Sequence, residues 1–142
     1  MADHKAILTR FFQDVWTEGD VDAIDGYLAP RYTIHHDPGD PWDGQTLDVA
    51  GFKERVRQSR APFPDQCFTI HELIAEQDKV VATWYWTGTH MDDIPGFPAS
   101  GKRIAMSGMT VYYFEGDRIA GHWQMTDRLG VYQQLSRHAS KT

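Results

Sequence analysis

The chain has 142 residues, the size of one ordinary domain, and its hydrophobic fraction of 41% is too high for a disordered chain. Acidic residues number 20 and basic residues 14, a formal charge of −6 that argues against nucleic acid or an anionic membrane as partner. The single cysteine, Cys67, excludes an intrachain disulfide and a Cys-based zinc site, and no apolar run approaches the ~20 residues of a membrane span.

Ile7, Leu8, Phe11, Phe12, Val15 and Trp16 recur at helical spacing and predict a first helix, with Asp3 as N-cap and Gly19 as stop. Asp20 caps a second, short helix carrying Val21, Ile24, Tyr27 and Leu28, which Pro30 ends. Residues 32–36 read as a short strand, followed by a turn-rich loop at 37–44. A third helix is expected over about residues 48–60, with Val49, Phe52 and Val56 on one face. The segment 62–65 (PFPD) breaks it.

The second half reads as strands at 68–75, 79–90, 102–115 and 118–126, the last two joined by a Gly116-Asp117 turn. Residues 91–101 form an irregular loop carrying Pro95, Gly96 and Pro98. Residues from about 127 to 137 look helical. Helices first and a meander of strands after is the pattern of an α+β fold, here one domain over residues 1–142. The N-terminus leads into an amphipathic pattern and not a signal peptide, so the expected location is cytoplasmic.

Seven histidines are a high count, and the suggestive positions are His35-His36-Asp37-Pro38, His90, Tyr113, His122-Trp123 and Asp127. The histidines lie on separate segments without a helical His-x-x-x-His pair, and adjacent His35 and His36 point to opposite faces, so no metal site is expected. There is no Gly-x-Ser-x-Gly elbow, no Gly-rich phosphate loop, and Cys67 reads as an inert buried thiol. What remains is acid–base chemistry by a carboxylate and histidines in an apolar cavity, where lost hydration raises a carboxylate's pKa toward neutrality. Asp127 before an apolar periodic run is also a good helix N-cap, and the two roles are compatible. Trp84, Trp86, Met109, Trp123 and Met125 are candidate walls or ordinary core. With a two-residue turn at Gly116-Asp117, Tyr113, Val111 and Met109 share a sheet face with Ala120, His122 and Gln124. Trp123, Met125 and Asp127 then take the other face, and a bulge would reverse the order.

The residues resemble a family. YTIHHDP at 32–38, APFPD at 61–65, GTH at 88–90 followed by IPGFP at 94–98 and Gly101, and RIAGHWQMTDRLGVYQQL at 118–135 are similar in order and spacing to SnoaL-like polyketide cyclases, also described as predicted ester cyclases, of the NTF2-like superfamily. The resemblance implies an NTF2-like cone, a curved antiparallel sheet wrapped by N-terminal helices around an apolar pocket, paired into a homodimer through the sheet. It implies cofactor-free and metal-free aldol-type cyclisation of a small apolar, polyketide-like carbonyl substrate. An Asp matching Asp127 serves there as general acid/base. The family's partner His falls near Tyr113, which departs from the pattern. His36 is the candidate substitute, His122 also matches, and Tyr113 would hydrogen-bond the enolate oxygen. Trp16, His35, Trp86, His90, Met109, Tyr113, Trp123 and Met125 are the expected substrate contacts. Two alternatives stand beside this: a non-catalytic apolar-ligand binder, and an isomerase or epoxide hydrolase on the same scaffold, with Asp92 or Asp93 reaching toward Asp127.

Overall fold

Asp3, Asp20, Asp48 and Asp127 each stand at the start of a helical segment and accept a hydrogen bond from a backbone N–H of its first turn. In the computed structural model, which describes residues 3–139, helix α1 (His4–Phe11) continues directly into a π-helical turn, Phe12–Thr17. The widening places Phe12 and Trp16 toward the interior cavity described below. A 3₁₀ turn follows at Val21–Gly26, then strand β1 (Leu28–His36), the short strand β2 (Thr46–Leu47) and helix α2 (Val49–Arg60). Strands β3 (Cys67–Glu76), β4 (Lys79–Thr89), β5 (Arg103–Glu115) and β6 (Arg118–Thr126) precede helix α3 (Arg128–Ala139).

The six strands form one curved, unclosed sheet in the order β2-β1-β6-β5-β4-β3. All neighbours are antiparallel except β1 and β6, which run parallel. The concave face is covered by α1, its π turn and α2, whose Leu8, Phe11, Val15, Phe52 and Val56 are fully buried. This is the α+β cone that the order of segments and the resemblance imply. No helix among the described residues is long and apolar enough to cross a membrane.

Three local expectations change. Pro30 does not end a helix but lies within β1. Leu28 pairs with Ile119 and the next pairing is Thr33 with Gly121, so Pro30 falls in an interval where no ladder bond needs its missing N–H. Strand β2 was too short to show a period in sequence. Cys67 is exposed, because it begins the edge strand β3, which is paired on one side only.

The register of β5 and β6 also differs from simple alternation. Phe114 faces Ile119, but Tyr113 faces Gly121, so Ala120 is an extra residue, a β-bulge. From there Tyr112 faces His122 and Thr110 faces Gln124. A second irregularity in β1 pairs Ile34 with His122 and His36 with Trp123, leaving His35 extra. The pair of bulges turns His122 and Asp37 inward and Trp123 and His36 outward.

The close β1–β6 approach depends on Gly121, since a Cβ there would stand 2.5 Å from the Thr33 carbonyl oxygen. Replacing Gly121 with Ala is expected to destabilise the protein by about 1–3 kcal/mol in urea unfolding. Gly26→Ala, where nothing lies within 4 Å of the added carbon, should stay within about 0.5 kcal/mol of wild type.

Candidate functional site

Strand alternation sets out the walls of an interior cavity of about 250 Å³. Trp84 and Trp86 on β4 face inward with Phe12, Trp16, Phe63 and Phe68 around them. Their indole N–H groups are not presented to the cavity: Trp84 Nε1 donates to Thr110 Oγ1 at 2.9 Å and Trp86 Nε1 to Gln66 Oε1 at 3.2 Å. This end is therefore a greasy, aromatic slot. Ile94 of the 91–101 loop and Val131, Tyr132 and Leu135 of α3 complete it. Helix α3 is held down by Gln134, whose amide accepts from Ala105 N and donates to Ala105 O, both at 2.8 Å.

The other end is polar, with Asp40, Arg55, Tyr112, His122, Gln124 and Arg128 in its lining. Behind it Asp37 is buried, 1% exposed. Asp37 Oδ2 accepts from His122 Nε2 at 2.8 Å and from Arg55 Nη2 at 3.4 Å. Gln124 Nε2 reaches both carboxylate oxygens, and Arg128 Nη2 donates to Oδ1 at 3.1 Å. Burial by itself would raise the Asp37 pKa, but the His122 hydrogen bond and the Arg55 and Arg128 charges hold it below the ordinary carboxylate value. Asp40 is open to the cavity; its Oδ2 accepts from Arg55 at 3.0 Å and its Oδ1 from Trp42 N at 2.8 Å.

His122 lies between Asp37 and Tyr32, its Nδ1 standing 2.5 Å from the Tyr32 hydroxyl. Burial lowers the imidazole pKa and outweighs the raising effect of the Asp37 bond, so His122 is neutral at pH 7. Burial also pushes the Tyr112 phenol well up, against the charge of Arg55, so that hydroxyl keeps its proton. The polar end thus offers a neutral imidazole, a protonated phenol, a carboxylate and guanidinium donors facing one small volume.

Of the residues singled out in sequence, Trp16, Trp84, Trp86 and His122 come together at this cavity. His36 is on the opposite sheet face, stacked on Trp123 at 4.4 Å, and His35 packs edge-on to Tyr113. Met109, Trp123 and Met125 share that outer face, with Trp123 41% exposed. The Ala120 bulge exchanges odd for even positions along β6, which turns His122 and Gln124 inward and Trp123 and Met125 outward, while on β5 Thr110, Tyr112 and Phe114 face inward throughout. His90 is buried under the 91–101 loop, paired with Ser100 Oγ, outside the cavity lining. Asp127 Oδ1 accepts from Gly130 N at 2.9 Å and the carboxylate lies over that glycine, turned onto its own helix. Sequence reasoning passed over Tyr32, Asp40, Arg55, Tyr112 and Gln124. Arg55 carried a signal, since it shares the apolar stripe of Phe52 and Val56 on α2. Gln124 carried another, lying two residues from His122 on one strand.

The family model for SnoaL-like polyketide cyclases matches residues 6–135. The chain belongs to that family. A crystal structure described as a "putative polyketide cyclase" from Acidithiobacillus ferrooxidans is 63% identical, superposes with a TM-score of 0.94, and matches over 97% of each chain. IdmH of Streptomyces antibioticus, also described as a "putative polyketide cyclase", is 22% identical with a TM-score of 0.80, over 95% of this chain and 99% of that one. AclR of Streptomyces galilaeus, described as a "putative hydroxylase", is 19% identical with a TM-score of 0.80, over 96% and 87%. The last two show likeness of fold. No curated protein matches the chain.

The two buried titrations have the same sign. The folded His122 pKa is depressed below its ordinary 6.5, so its neutral form favours folding and stability falls as pH drops below about 6.5. The folded Asp37 pKa is depressed below 3.8, so its contribution is present above that value and is lost as pH falls through the lower folded pKa. Urea unfolding at pH 7.5 and 5.0 should show the protein less stable at pH 5.0, and His122→Asn should remove most of that difference.

Proposed function

We propose that this SnoaL-like protein is a cofactor-independent acid–base enzyme acting on a small, flat, largely apolar carbonyl compound, in an aldol-type cyclisation or a related proton transfer. The observation that supports it is the meeting, at one end of an aromatic cavity, of a neutral histidine, a protonated tyrosine and the carboxyl group of Asp40. The apolar body of the substrate occupies the Trp84–Trp86 end, and its carbonyl oxygen points at the polar end. Asp40 is the general base that takes a proton from the carbon beside the carbonyl. Tyr112 donates its hydroxyl to the substrate oxygen as negative charge develops there, and a neutral donor aimed at a forming enolate in a water-poor site is an effective arrangement. His122, held between Asp37 and Tyr32, forms the wall beside it. The enolate carbon then attacks a second carbonyl of the same molecule, or takes its proton back. Asp127 in this reading caps α3.

The test needs no natural substrate. In D₂O, the protein should catalyse exchange of the α-hydrogens of an enolisable bicyclic ketone such as a tetralone, followed by NMR. Asp40→Asn and Tyr112→Phe should each lower the exchange rate by about a hundredfold or more, while Asp127→Asn, which caps equally well, should stay near wild type. Loss of exchange in Asp127→Asn alone would move the base to that residue. Binding of the ketone without exchange would support the binding-only role.

The same reading includes a pair of copies joined through the outer sheet face, where Tyr85, Met109, Trp123 and Met125 stand exposed on adjacent strands. Sedimentation as a dimer is expected, and Trp123→Glu should give a monomer that keeps its cavity.

A further inference from the structure

The hydrogen bonds around His122 can be assigned from their partners. Asp37 already accepts from Arg55, Gln124 and Arg128. As an ion it can only accept, so the hydrogen between it and His122 belongs to Nε2. A neutral imidazole has one N–H, which leaves a lone pair on Nδ1. The 2.5 Å contact with Tyr32 therefore has the tyrosine hydroxyl donating. Tyr32 is 1% exposed, its ring set edge-on against Phe52 at 4.7 Å, and it is not part of the cavity lining. Neither solvent nor a substrate competes for its hydroxyl.

We infer that Tyr32 is a positioning residue: its buried hydroxyl holds His122 in the tautomer that carries the hydrogen on Nε2, toward Asp37. The functional weight of this inference rests on the reading proposed above, in which the His122 ring forms the wall beside the substrate oxygen. Asp37 and Tyr32 grip opposite nitrogens of one ring. Asp37 alone demands a hydrogen on Nε2, but an imidazole whose Nδ1 lone pair is buried without a donor is driven to turn, to recruit water or to change tautomer, because an unpaired buried acceptor is costly. A phenol is suited to this place because it donates from the end of a rigid ring anchored in the core, and burial keeps it protonated.

Two-bond ¹H–¹⁵N correlation spectra of histidine-labelled protein read the tautomer directly. In the wild type at pH 7.5, His122 should show a protonated Nε2, an unprotonated Nδ1, and a slowly exchanging Tyr32 hydroxyl proton coupled to Nδ1 across the hydrogen bond. In Tyr32→Phe, which keeps the ring, the single pattern should give way to mixed or exchange-averaged signals. The tetralone exchange should then fall in kcat by about tenfold or more, with KM changed much less. A wild-type spectrum with hydrogen on Nδ1, or without the Tyr32 coupling, overturns the inference whether or not the variant folds. So does an unaltered Nε2–H pattern in Tyr32→Phe. If the wild type fails to exchange the ketone while the tautomer signature is present, the proposed activity falls and the positioning by Tyr32 stands.

Discussion

A carboxylate with 1% of its surface exposed is an expensive thing to keep ionised, and Asp37 stays ionised because donors from three elements converge on it. Arg55 comes from α2, His122 and Gln124 from β6, and Arg128 from the start of α3. Removing any of these elements from its place would leave charge buried without a partner. The carboxylate therefore acts as a geometric clamp as well as an electrostatic one, tying the helix beneath the sheet, the parallel strand pair and the C-terminal helix to one loop. Arg128 also donates to the Pro38 carbonyl at 2.7 Å. Its side chain lies across Gly39, whose φ of +90° and missing Cβ leave the room it needs.

Two irregularities in the sheet bring that clamp into being. Without the extra residue at His35, alternation along β1 would send His36 inward beside Tyr32 and Ile34, and Asp37 outward. Without the extra residue at Ala120, His122 would leave the concave face. Each bulge by itself would separate Asp37 from His122; together they make the 2.8 Å contact possible. Bulges near functional sites commonly re-aim a side chain in this way.

The cavity divides its chemistry by hiding polar atoms at one end and concentrating them at the other. The indole N–H groups of Trp84 and Trp86 are satisfied inside the wall, so the aromatic end offers stacking surface and little else. Thr110 continues this wiring, accepting from Trp84 and donating to Gln124 Oε1 at 2.7 Å, which turns the Gln124 amino group toward Asp37. The aromatic wall and the charged cluster are thus joined by one chain of hydrogen bonds. Proteins of the same fold carry descriptions as different as "putative polyketide cyclase" and "putative hydroxylase", so the scaffold by itself does not name a reaction.

Much of the architecture was legible in the residues themselves. Aspartate caps, 3.6-residue periods in α1 and α2, and alternating runs in β3 to β6 mark elements through neighbours close in sequence, and the local physics of caps and periods acts over a few residues. The aromatic character of the cavity was legible too, through Trp16 and Trp86, and His122 stood out as a candidate. What the sequence could not decide was facing. A bulge costs one residue and leaves no mark in composition, yet the one at Ala120 moves Trp123 and Met125 to the outer face and His122 and Gln124 to the inner one, and so decides which residues of β5 they join. The side-chain partners of the Asp37 carboxylate lie 18, 85, 87 and 91 residues away. The Asp127 cap is local and was legible in the sequence, whereas a buried charge finds such partners only when the whole chain has closed around it, so only the tertiary structure could decide that Asp37 gathers them.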